Sequence, residues 1–142
     1  MYRETKDKIY LAQANKIAAF LLNHPNLPAD KIPYWDFNAP GIPNAFRDAS
    51  TGSLMASALL ELAGYNKSLA RTYIASATHI LHSLSSEAYR AKQGERKGFL
   101  IKHAVGHLPA NSEVDVPLTY ADYYYVEALM RYKKLALGQP LF

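Results

Sequence analysis

The chain has 142 residues, 49% of them apolar and 20% charged, the balance of one folded domain with a core and not of a disordered tail. It contains no cysteine, which excludes disulfides, thiolate nucleophiles and cysteine-bound zinc without choosing between cytoplasm and periplasm. The net charge of +4 comes from 16 scattered Lys and Arg, with no basic stripe or reading motif for nucleic acid, and the longest apolar run, Ile17 to Leu22, is too short to span a membrane.

Four helices are expected, in chain order. Over roughly Lys6 to Asn23, the residues Tyr10, Ala14, Ile17 and Leu21 fall at steps of three and four and make one apolar stripe. His24-Pro25 ends that helix, because the residue before proline avoids the helical well. A second helix, Ser50 to Ala63, has Asp48, Ser50 and Thr51 as capping groups and is expected to close at Gly64 in a left-handed turn. A third, Lys67 to Leu84, aligns Leu69, Tyr73, Ala77, Ile80 and Leu84. The short gap before it predicts a helical hairpin. The fourth, Tyr120 to Leu137, aligns Ala121, Tyr125, Ala128, Leu129 and Tyr132 and stops at Gly138.

Two stretches break this pattern. Between His24 and Ala49 lie five of the eight prolines, so no regular element runs through, and a loop that long often carries binding function. Its core reads Pro33-Tyr34-Trp35-Asp36-Phe37-Asn38, then Pro43-Asn44-Ala45-Phe46-Arg47-Asp48. Rings beside amides and carboxylates suit a sugar, which offers an apolar face and hydroxyls. Alternatively, Trp35 and Phe37 pin the loop to the helices, and Arg47 and Asp48 pair with each other or cap the next helix. In the second stretch, Ser85 to Thr119, the pieces Phe99-Leu100-Ile101 and Val114-Asp115-Val116 can pair as a β-ribbon.

His103 and His107 have a spacing that suits a metal on a helix. Gly106 and Pro109 argue against a helix there, and no third ligand follows at a motif-like distance. No metal and no cofactor are expected. No nucleophile elbow or phosphate-cradling loop is present, and no two carboxylates are spaced for acid and base work.

Three blocks carry a resemblance. They are Ile32-Pro-Tyr-Trp-Asp-Phe-Asn-Ala-Pro40 leading to Arg47-Asp-Ala-Ser50 and Met55-Ala-Ser-Ala-Leu-Leu-Glu-Leu62; Gly98-Phe-Leu-Ile-Lys-His103; and Ser112-Glu-Val-Asp-Val-Pro117 leading to Tyr120-Ala-Asp-Tyr-Tyr-Tyr-Val-Glu-Ala-Leu129. In this order they resemble glycoside hydrolase family 88, the unsaturated glucuronyl hydrolases. The resemblance implies a mainly α fold: helical hairpins forming part of an (α/α)6 toroid, with a small β-ribbon near residues 98–118. A helix with its connection takes roughly 30 residues, so residues 1–142 are expected to be a single segment, the C-terminal part of such a domain.

Family members remove a 4,5-unsaturated uronic acid from oligosaccharides produced by polysaccharide lyases. The chemistry resembles hydration of a vinyl ether: an aspartic acid protonates the double bond, water adds at the neighbouring carbon, and the hemiketal collapses to a keto acid. The family's two catalytic aspartates belong to its N-terminal half and match nothing here. No catalytic residue is therefore expected in this chain, which alone should be inactive. The resemblance offers Lys102, His103, Ser112, Trp35 and Arg47 as substrate-binding candidates on the rim of the cleft. The partners implied are an unsaturated uronate-containing oligosaccharide, the missing N-terminal half of the toroid, and a second copy joined through exposed apolar faces. Two rival readings stay open: a family 105-like unsaturated rhamnogalacturonyl hydrolase, and a non-catalytic helical module that binds glycan or protein.

Overall fold

The computed structural model of the chain describes residues 1–141; Phe142, the last residue of the expected 1–142 segment, lies outside the described residues. Five α-helices follow in order: α1 (Tyr2–Thr5), α2 (Lys8–Asn23), α3 (Ala49–Tyr65), α4 (Ala70–Ser85) and α5 (Thr119–Ala136). Two 3-10 turns, Arg96–Gly98 and Leu108–Ala110, sit in the segment before α5.

Each expected helix is present, with shifted ends that have local causes. Lys6 closes α1 in a left-handed conformation, so α2 starts later, at Lys8, with the Asp7 carboxylate accepting from the Ile9 N–H at 2.9 Å. Helix α2 stops at an extended His24 before Pro25. The expected stop at Gly64 is wrong: that glycine lies inside α3, which continues to Tyr65. Asn66 supplies the ending instead. Its N–H donates to the Leu62 carbonyl at 3.0 Å, while its side-chain oxygen accepts from Ser68 Oγ at 2.8 Å. That local turn also delays α4 to Ala70. Helix α5 ends before Gly138, whose φ of 64° gives the left-handed turn expected there.

Helix α3 is the hub. It packs along both α4 and α5 and buries Met55, Ala56, Leu59, Leu60 and Leu62, each large side chain contributing about 1.5–3 kcal/mol. From α4 come Tyr73, Ala77, Ile80 and Leu84, and from α5 Ala121, Tyr125 and Ala128, at the spacing read from the sequence, whereas Leu69, Leu129 and Tyr132, expected in the same stripes, are exposed. The shared core also takes Ile32 from the proline loop and Ile101 and Ala104 from the segment before α5.

Helix α2 is attached differently. Only Ala18 is buried, while Ile17 and Phe20 stand half exposed or more. Leu11, Ala14, Leu21 and Leu22 pack on the core only in part, and polar bonds add to the tie: Asn15 Oδ1 accepts from Asn66 Nδ2 at 2.9 Å and from the Tyr73 hydroxyl at 2.7 Å. The expected stripe of Tyr10, Ala14, Ile17 and Leu21 therefore lines an open apolar groove of about 410 Å³, with Met55, Leu59 and Leu62 of α3 opposite. Among the described residues, no helix is long and apolar enough to cross a membrane.

The β-ribbon forms in a shifted register. Ala104 and Val116 exchange two backbone hydrogen bonds at 3.0 Å, and His107 and Ser112 exchange two at 3.1 Å. The expected partner Ile101 instead bridges Arg90. Asp122 explains the shift: its two oxygens accept the N–H groups of Leu100 and Ile101, both at 2.9 Å. Holding those donors at the start of α5 draws the Leu100–Ile101 stretch out of the ribbon.

Candidate functional site

The proline loop is folded over on itself by a bridge between Tyr34 and Arg47. Trp35 donates its N–H to the Phe46 carbonyl at 3.0 Å, and Asp48 donates to the Pro33 carbonyl at 2.9 Å. Arg47 reaches back under the loop, with Nε donating to the Ile32 carbonyl at 2.9 Å and Nη2 ion-pairing with Asp30. Its partner is thus Asp30 and not the neighbouring Asp48. The other oxygen of Asp30 accepts from the Tyr89 hydroxyl at 2.9 Å. Burial pushes the Tyr89 phenol well above its ordinary value, with the Arg47 guanidinium pulling the other way.

Asp48 is buried and caps α3. One oxygen accepts from the Ser50 N–H at 3.0 Å and its hydroxyl at 2.7 Å, and the other accepts from Thr51 Oγ1 at 2.5 Å. The chain before the ribbon docks here as well, since the Ala49 N–H donates to the His103 carbonyl at 3.1 Å. His103 and Asp115 both take left-handed backbone conformations, with φ of 61° and 55°, which costs about 1 kcal/mol or more at a non-glycine residue. Their side chains meet, Nδ1 of His103 lying 2.6 Å from Oδ1 of Asp115.

These two segments, with Ala88 and Tyr89, line an open cavity of about 280 Å³ whose other residues are Asn44, Ala45, Phe46, Arg47, His103 and Asp115. Of the five candidates from the sequence, Arg47 and His103 come together there. Lys102, Ser112 and Trp35 do not line it. Lys102 Nζ donates to the Glu87 carbonyl at 3.0 Å, Ser112 sits exposed where the ribbon turns, and Trp35 is partly exposed in the proline loop. Phe37 does pin the loop, packing on His24 at 4.3 Å and Phe20 at 6.0 Å between ring centroids. Among the described residues, no three His, Asp or Glu side chains gather as a metal site.

Asp115, Asn44, Phe46 and Tyr89 were not singled out as site residues by sequence. The His103–Asp115 contact depends on ribbon register, which no local spacing encodes.

No family model matches the chain. It is 46% identical over 136 residues to an unsaturated glucuronyl hydrolase of Formosa agariphila, a match covering 96% of this chain and 34% of that protein. The crystal structure of an unsaturated glucuronyl hydrolase specific for heparin superposes with a TM-score of 0.93 at 50% identity, over 96% of this chain and 36% of that one. A variant of the Streptococcus agalactiae enzyme, complexed with dGlcA-GalNAc6S, gives a TM-score of 0.83 at 29% identity, over 94% of this chain and 36% of that one. The chain thus spans about a third of the length of the relatives it matches, and its helices match part of their helical toroid.

Proposed function

We propose, from its kinship in sequence and fold with the unsaturated glucuronyl hydrolases, that this chain is the C-terminal portion of an enzyme cleaving 4,5-unsaturated uronate from oligosaccharides. The superposition on the heparin-specific enzyme carries the reading, because identity and geometry agree over nearly the whole chain. A rhamnogalacturonyl hydrolase or a purely binding module has no comparable support. Residues 1–142 form a single segment of the toroid in this reading, and the proton donor comes from the part of the toroid outside it.

The chain's own residues then shape the cleft's rim. Arg47 and His103 are the favoured substrate contacts, since they share one cavity, with Lys102, Ser112 and Trp35 reaching the glycan only at its edges. The substrate class follows from the relative complexed with an unsaturated uronate disaccharide. The apolar groove between α2 and α3 is covered by the remaining toroid helices. The exposure of Ile17 and Phe20 on α2, with only Ala18 buried, supports that, as does the share of the relatives left unmatched. Without those helices a second copy takes their place.

The test is loss of the ultraviolet absorbance of an unsaturated disaccharide. The chain alone should show none, and mixing it with the N-terminal two thirds of the Formosa agariphila protein should restore it. Turnover by the chain alone would overturn the proposal, as would a mixture that associates and stays inactive. Sedimentation of the chain alone should be concentration-dependent, and Ile17→Lys in the groove should shift it toward monomer.

A further inference from the structure

The chain carries two apolar edges of opposite shape. One is the concave groove of about 410 Å³ between α2 and α3. The other is a convex stripe on α5, where Tyr123, Val126 and Met130 stand exposed at steps of three and four and Leu137 continues the line at the helix end. This stripe lies opposite the face that α5 buries through Ala121, Tyr125 and Ala128. The two edges sit on different sides of the segment, since α2 packs on α1 and α3 whereas α5 packs on α3 and α4. They also match in length: α5 has 18 residues, about 27 Å, and the groove walls α2 and α3 have 16 and 17.

We propose that copies of the chain associate head to tail, the α5 stripe of one copy lying in the α2–α3 groove of the next, and that the ring closes at three. Resting on the toroid reading above, the contact identifies the face of the second copy that fills the groove. Shape decides the face. A groove is not its own complement, because two of them mouth to mouth leave both unfilled. A helix with apolar side chains at i, i+3 and i+7 is what such a groove takes. A contact between two unlike faces makes a ring or a filament and not a symmetric pair. The count follows from the fold. The chain spans about a third of the relatives' length and so about a third of the turn of a closed toroid, which leaves its two edges at the angle that three copies close. In the whole toroid these edges face the remaining helices; in the chain alone they face each other.

Sedimentation velocity and native mass spectrometry of the full chain test this with one lysine placed in each edge. The parent should rise with concentration from 15.9 kDa to about three times that mass and stop there. Ile17→Lys and Met130→Lys replace residues that are 49% and 52% exposed, so the circular dichroism of each should match the parent. Each variant alone spoils one half of every contact and should stay monomeric where the parent is trimeric. Mixed in equal amounts, they should form a one-to-one dimer and nothing larger. The intact stripe of Ile17→Lys fits the intact groove of Met130→Lys, while the other two faces are blocked. A parent that stays monomeric, stops at a dimer or grows without limit would overturn the proposal, as would association that survives Met130→Lys or a mixture that stays monomeric. The disaccharide assay reads the enzyme claim separately. Turnover with the Formosa agariphila portion, from a chain that never trimerises, leaves that claim standing and removes this one; a trimer without such turnover does the reverse.

Discussion

Asp48 Oδ1 accepts the backbone N–H of Val105 at 3.3 Å, across 57 positions of sequence. The same carboxylate caps α3 through Ser50 and Thr51, so one buried side chain both starts the central helix and holds the turn that carries His103.

Asp48→Ala should therefore cost more than an ordinary helix cap. A cap alone contributes roughly 1 kcal/mol, and leaving the buried Val105 and hydroxyl donors unsatisfied raises the loss to about 2–4 kcal/mol. Urea unfolding should show the midpoint falling with the slope unchanged. Asp48→Asn keeps one acceptor oxygen and should lose about half as much. Equal losses in the two variants would mean the carboxylate is not shared in this way.

Gly106 is required by a neighbour and not by its own backbone. A Cβ built there would collide with Glu113 Oε2 and lie 2.9 Å from Glu113 Cβ. The carboxylate can swing away, but the Glu113 Cβ cannot, so Gly106→Ala should open the ribbon at a cost of about 1–2 kcal/mol. Glu113 has a φ of 54°, which glycine adopts without strain. Glu113→Gly should thus recover most of the loss in the double variant. Additive losses in a double-mutant cycle would show that the two residues do not meet.

The helices were legible because each carries a repeat that needs one partner face, as in Tyr73, Ala77, Ile80 and Leu84. Their ends were less so. Gly64 reads as a stop, yet Asn66 terminates α3 through bonds to Ser68 and to Asn15 of α2, and nothing local announces a partner that far away. The ribbon shows the same limit. Its strand pieces were visible, but the register follows from Asp122 drawing off Leu100 and Ile101. Arg47 and His103 were legible as site candidates through resemblance, whereas the acid beside each, Asp30 and Asp115, emerged only from the fold.

Arg131 joins α5 to α3. Its guanidinium lies 3.0 Å from Glu61 and 3.3 Å from Glu127 and donates to the Ser57 carbonyl at 2.9 Å, while the Ser57 hydroxyl reaches Glu127 at 2.5 Å. With the arginine side chain only 13% exposed, Arg131→Met leaves two carboxylates facing each other and should cost about 2–4 kcal/mol. Adding Glu127→Gln should return part of that, because it removes one of the uncompensated charges. By contrast, the Arg3–Glu4 pair at the surface should show no measurable effect when Glu4 is changed to Gln. A double variant less stable than Arg131→Met by the full cost of Glu127→Gln alone would argue against charge as the cause.

Tyr89 sets an alkaline limit on stability. Burial raises its phenol above the ordinary value of 10.0, with the Asp30 carboxylate adding to the rise and Arg47 opposing it. The sign follows from linkage: a group whose folded value is raised stays neutral in the folded chain while the unfolded chain ionises first. Its contribution is whole below about pH 10 and shrinks as the pH climbs toward the folded value. Tyr73, raised by burial as well, adds in the same direction. The free energy of unfolding should therefore fall with rising pH above about pH 10, and the fall should be shallower in Tyr89→Phe. That variant should also start lower at neutral pH, because Asp30 loses the hydroxyl that donates to it. In ultraviolet titration of the folded chain, one tyrosine fewer should remain un-ionised at the alkaline end in Tyr89→Phe than in the parent. An unchanged slope in the variant would mean that the buried phenol is not what limits the chain at high pH.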